Sequence, residues 1–128
     1  MTDHSPRIAL VGHCRPDVFA LTAAIRGFIP KAEVVSVNAN DQLTNDFDLY
    51  LVNRILDGIF PTESGIELIS TLPEGAPPAI LITNLPEHAQ TALQVGAVPG
   101  FGKANMRSPE AQSALLNALS IESAESHD

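Results

Sequence analysis

The chain has 128 residues, a length that fits one domain able to bury about two-thirds of its unfolded surface without disulfides or metal. Apolar residues make up 45% and charged ones 17%, and no apolar stretch approaches the roughly 20 residues needed to cross a bilayer. The net charge is −8, and the lysines, Lys31 and Lys103, and five arginines are scattered, so no cationic face is offered to nucleic acid or to an anionic membrane. Met1 to Arg7 lacks the basic start and apolar core of a secretory signal, and the single Cys14 has no disulfide or zinc partner. The expectation is a cytoplasmic protein in which Cys14 is a small packed residue.

Arg7-Ile8-Ala9-Leu10-Val11 reads as a short buried strand stopping at Gly12, and Val18, Leu21, Ile25 and Phe28 recur at helical spacing behind it. Pro16 suits the first turn of that helix, and Asp17 places negative charge at the positive end of its dipole. Ala32 to Val37 is β-branched and bounded by Pro30 and Asn38, a second strand, with a short helix expected from Asp41 to Asn45. The third strand, Phe47-Asp48-Leu49-Tyr50-Leu51-Val52, ends at Asn53.

Ser64-Gly65-Ile66-Glu67 has the capping-box spacing, in which Ser accepts from one orphan amide and Glu reaches back to another. A helix follows to Leu72, broken by Pro73 and Gly75-Ala76-Pro77-Pro78. Ala79-Ile80-Leu81-Ile82-Thr83 reads as a fourth strand. Ala89, Ala92 and Leu93 then form the apolar face of a helix ending at Gly96, and Gly100 to Lys103 is expected as strand five. Ser108-Pro109-Glu110 caps a last helix with Ala111, Ala114, Leu115, Ala118 and Leu119 on one side, and residues 122–128 form a polar acidic tail expected to be disordered.

Alternating strands and helices imply an α/β fold in one domain, residues 1–121: a doubly wound five-stranded parallel sheet of flavodoxin-like order 2-1-3-4-5, with helices on both faces. Ligands meet such a sheet at the carboxyl ends of its strands, where Gly12, His13, Asn53, Thr83 and Lys103 collect. A lone His13 without a second ligand at metal spacing reads as a loop residue, and His4, His88 and His127 add no partner.

The strand ending at Asn53, Leu81-Ile82-Thr83-Asn84, Phe101-Gly102-Lys103-Ala104 and Ala92-Leu93-Gln94-Val95-Gly96-Ala97 together resemble the receiver domain of two-component response regulators, over roughly Arg7 to Ile121. The resemblance implies that position 53 is the phosphoacceptor position, here an amide that cannot take a phosphoryl group, and that Thr83 and Lys103 match the hydroxyl and ammonium that contact that group. The acidic pair that would hold Mg²⁺ after strand one is replaced by Gly12 and His13, so no metal and no cofactor is expected. The residue after Lys103 is Ala104 rather than Pro, and Gly100 stands where the family keeps a switch aromatic.

The connection Arg54 to Glu63 is about four residues longer than the usual receiver connection. It is apolar at Ile55, Leu56, Ile59 and Phe60, and so either folds over the strand edge or presents a contact surface. Asp57-Gly58 within it is a turn signal and the alternative phosphoacceptor; Lys103 is expected to face Asn53 and Asp57. The reading is a stand-alone, non-enzymatic pseudo-receiver that signals by binding another protein, a histidine kinase or a downstream effector. The face expected to dock is Glu87 to Gly96, Gly100 to Lys103 and Ser108 to Leu119, whose Ala-rich helices also permit a homodimer. The alternatives are a receiver phosphorylated at Asp57 in a phosphorelay and a small-molecule sensor.

Overall fold

A computed structural model describes residues 5–120; the tail assigned to 122–128, His4 and His127 lie outside them. The elements are β1 (Arg7–Val11), α1 (Arg15–Phe28), β2 (Glu33–Val37), β3 (Leu49–Asn53), α2 (Gly65–Ser70), β4 (Ala79–Ile82), α3 (Pro86–Gln94) and α4 (Pro109–Ala118). All strand pairs are parallel, in the order β2-β1-β3-β4. The short helix expected at Asp41 to Asn45 is a single 3-10 turn over Asn40–Gln42.

The sheet therefore has four strands among the described residues rather than five. The segment expected as strand five still runs beside β4, where Val98 N–H donates to Ala79 O at 2.9 Å and Phe101 O accepts from Thr83 N–H at 3.3 Å. Regular parallel pairing from Val98 would bring Thr83 N–H to Gly100 O; its bond to Phe101 O instead marks a one-residue slip of register, and the ladder does not continue. The segment docks against the sheet edge without becoming part of it.

Side chains alternate across the strands, which splits the core into two layers. Ile8, Leu10, Leu49, Leu51, Ile80 and Ile82 point to one face, where Leu21 and Ile25 of α1 and Ala111, Ala114 and Leu115 of α4 cover them. Ala9, Val11, Tyr50, Val52, Ala79 and Leu81 point to the other, covered by Leu68 and Ile69 of α2 and Ala92 of α3. Leu93, expected on the apolar face of α3, is instead 40% exposed.

Local signals in the sequence are met with one change. Ser108 Oγ caps α4 by accepting from Ala111 N–H at 3.1 Å, and Ser64 Oγ caps α2 by accepting from Glu67 N–H at 3.1 Å. Glu67 does not reach back to Ser64 N–H, because Thr62 stands between: its hydroxyl accepts from Ser64 N–H at 3.1 Å and donates to Glu67 at 2.6 Å. Helix α3 ends in a Schellman motif, with Gly96 at φ +113° and Ala97 N–H bonded back to Ala92 O at 2.9 Å.

Candidate functional site

The carboxyl ends of β1, β3 and β4 open onto one edge, and the turn carrying Lys103 closes over it. Asn53, the last residue of β3, is fixed there by its neighbours on every side. Its Nδ2 donates to Gly12 O at 3.0 Å and to Ile55 O at 2.7 Å, while its Oδ1 accepts from Arg54 N–H at 3.1 Å and from Lys103 Nζ at 3.3 Å. Gly65 is needed behind it, because a Cβ there would lie 2.0 Å from Asn53 O.

Lys103 meets Asn53, as the sequence leads one to expect, but its carboxylate partner is Asp17 rather than Asp57. Asp17, in the first turn of α1, accepts from Lys103 Nζ at 2.5 Å, with both side chains about two-thirds buried (29% and 32% exposed). The hydrogen bond from Lys103 holds the Asp17 carboxyl below its ordinary value. A buried or half-buried ammonium needs a counter-charge, and with an amide at position 53 the helix supplies it.

His13 is buried, 1% exposed, with Nε2–H donating to the carbonyl of Leu51 at 3.0 Å. That contact fixes the tautomer and leaves Nδ1 without a partner among the described residues. Burial lowers its pKa from 6.5 to about 4, with nearby Lys103 acting the same way against the Leu51 contact and Asp17, which raise it. At neutral pH His13 is therefore uncharged, its ring held by the Leu51 carbonyl.

The long connection does both things its composition suggests. Leu56 turns in and is buried against Gly12, whereas Ile55 and Ile59 are 52% and 79% exposed. Backbone bonds fasten the loop to the sheet end: Asp57 N–H to Gly12 O at 2.9 Å, Ile59 N–H to Asn38 O at 2.8 Å and Asn40 N–H to Ile59 O at 2.9 Å. The Asp57 side chain lines a cleft with His13, Arg15, Ser36 and Asn38. Thr83, Asn53 and Lys103 line a different one, so Asp57 and the Thr83/Lys103 pair do not share a cleft.

Mg²⁺ does not fit the residues at this edge. Gly12 and His13 provide no carboxylate, Asn53 Oδ1 already accepts two hydrogen bonds, and the carboxylate facing Lys103 is held by it. Among the described residues no group of three His, Cys, Asp or Glu side chains is placed to hold a metal ion. Sequence reasoning missed two members of the site, Asp17 and Arg54. Asp17 was legible as a first-turn acid on the helix that leaves this edge, and Arg54 as the residue next to Asn53.

A parallel sheet in the order β2-β1-β3-β4 with helices on both faces gives a receiver-type α/β fold, with Thr83 just after β4 and Lys103 in the turn over the same edge. No family model and no curated protein matches the chain. Solved structures do, and they are response-regulator receivers. A response regulator from Thermotoga maritima has a TM-score of 0.70 at 15% identity, with 91% of this chain and 99% of that one covered. A chemotaxis response regulator of Vibrio cholerae has a TM-score of 0.59 at 17% identity, covering 91% and 98%. Another Thermotoga maritima regulator, DrrB, described as an OmpR/PhoB homolog, has a TM-score of 0.59 at 18% identity; 89% of this chain is covered, but it spans only 50% of that chain. The chain has the receiver fold. Among the described residues no helix is long and apolar enough to cross a membrane.

Proposed function

We propose that the protein is a receiver-type signalling module that has given up aspartyl phosphorylation at the end of β3 and works by binding another protein. The engagement of Asn53 carries this reading: its amide bonds Gly12 O, Ile55 O, Arg54 N–H and Lys103, and so holds in one arrangement the strand edge that a phosphoryl group would otherwise reorganise. Phosphoryl transfer demands a positioned acceptor and a metal to neutralise charge, and this edge supports neither. An apolar cleft lies beside α3 with Leu85, Leu93 and Phe101 on its walls. That cleft lies within the face expected to receive a partner.

Incubation with acetyl phosphate and Mg²⁺ followed by intact-mass measurement tests the proposal. The expected result is an unmodified chain. An adduct of one phosphoryl group that is lost in Asp57→Ala would replace the reading with a receiver using Asp57 as acceptor.

A further inference from the structure

We infer that the cleft between the start of α1, the end of β2 and the long connection binds a small zwitterion, a molecule with one ammonium and one carboxylate, Arg15 taking the carboxylate and Asp57 and His13 the ammonium. The cleft measures about 480 Å³ and is lined by His13, Arg15, Val18, Ser36, Asn38 and Asp57. No residue at the ends of β3 or β4 lines it, so the inference is independent of how position 53 is read.

The walls are tied together by Asn38. Its Nδ2 donates to Asp57 O at 3.3 Å and to His13 O at 3.5 Å, which joins the connection and the segment after β1 to the end of β2, and its Oδ1 accepts from Ser36 Oγ at 3.0 Å. Gly58 seats the connection: its φ is +133°, and a Cβ there would lie 2.2 Å from Asn38 O.

What this frame leaves over is complementary to a dipolar guest. Arg15 and Asp57 line the same cleft, yet neither side chain pairs with the other or with another described residue. Water can satisfy exposed charges, but it does not reach His13, which is 1% exposed. With Nε2–H given to Leu51 O at 3.0 Å, its Nδ1 is a buried acceptor without a partner among the described residues. Such an atom in the wall of a cleft calls for a donor. An ammonium has three N–H bonds, enough for both Asp57 and Nδ1, and a carboxylate matches the planar fork of Arg15. A guest with one charge would leave the opposite side chain unanswered, whereas a zwitterion answers both and, being neutral overall, meets no net repulsion from a chain of charge −8.

The test is an NMR titration of the full chain at pH 7 and fixed ionic strength with glycine, β-alanine and γ-aminobutyrate, which differ in the spacing of their charges, and with acetate and methylammonium as single-charge controls. Saturable amide shifts at His13, Arg15, Asn38 and Asp57 are expected with at least one zwitterion, and either control should bind at least about tenfold more weakly. In protein labelled with ¹⁵N in the imidazole rings, the His13 Nδ1 resonance should move toward its hydrogen-bonded range at saturation. Arg15→Gln and Asp57→Ala change exposed side chains and should each weaken binding about tenfold. The absence of saturable shifts with all three zwitterions, equal binding of a control, an unmoved Nδ1 resonance, or parent-like affinity in Asp57→Ala would overturn the inference.

Discussion

Leu56 lies directly over Gly12: a Cβ built on Gly12 falls 2.6 Å from Leu56 Cδ2 and 3.1 Å from Leu56 Cα. Gly12 also has φ +74°, a backbone conformation that costs side-chain-bearing residues about 1–3 kcal/mol. Position 12 is thus closed to a larger side chain by both conformation and packing. Gly12→Ala should destabilise the fold by at least about 1 kcal/mol in urea unfolding. In a Leu56→Ala background the penalty of Gly12→Ala should shrink by the part owed to Leu56 Cδ2, the close contacts with Cα and Cβ at 3.1 and 3.2 Å remaining, and a double-mutant cycle measures the difference.

His13 predicts the pH dependence of stability. Its folded pKa, about 4, lies below the ordinary 6.5, so the unfolded chain takes up the proton first. The neutral form's advantage is complete above 6.5 and is lost as pH falls toward 4, a decline of roughly 3 kcal/mol across that window. Urea midpoints between pH 7 and pH 4 should fall accordingly, and His13→Gln should flatten the slope. A His13 ring resonance titrating near 6.5 in the folded protein would contradict the burial argument.

Asp17 acts in a lower window. Its folded pKa is depressed by Lys103, so its contribution is present above the ordinary 3.8 and disappears as pH falls through the lower folded value. The pair is partly exposed, and its worth at neutral pH should be no more than about 1 kcal/mol. Asp17→Asn should cost that much at pH 7, and the cost should diminish as the pH is lowered below 3.8, as read by thermal melts across the acid range.

Asn53→Asp places a carboxylate at the end of β3 without the surroundings that would use it. The change removes the donor to Gly12 O and Ile55 O and sets negative charge against two carbonyl oxygens, at a cost of about 1–3 kcal/mol. The variant should unfold at lower urea and still show no Mg²⁺-dependent labelling by acetyl phosphate, since Gly12 and His13 remain.

Strands β1, β3 and β4 were legible because buried parallel strands write themselves as apolar runs, such as Ala79-Ile80-Leu81-Ile82. The same rule failed at Gly100 to Lys103, where the register slips by one residue although Val98 and Phe101 stay in contact with β4. The joint placement of Asn53 and Lys103 was legible from Asn53 at the end of β3 and from the expectation of Lys103 at the end of a fifth strand, a place the docked segment keeps without forming one. The counter-ion was not: Asp57 is nearer to Asn53 in sequence, but backbone bonds to Gly12 and Asn38 carry it to the cleft shared with Arg15, and α1 delivers Asp17 instead. Which side of a loop a charge ends on depends on pairings a linear pattern does not contain.

The seam that joins the Arg54–Glu63 loop to β1 and β2 has a mechanical consequence. With Asp57 and Ile59 N–H groups bonded to Gly12 and Asn38, and Leu56 N–H bonded to Glu63 O, the added length is a rim rather than a hinged flap. Amides of Leu56, Asp57 and Ile59 should exchange with deuterium on the timescale of the strands beside them, although Ile59's side chain stands in solvent. A partner that grips Ile59 would therefore pull on the sheet itself, and a tug at this margin would reach Gly12 and Asn53 without any segment having to fold or unfold.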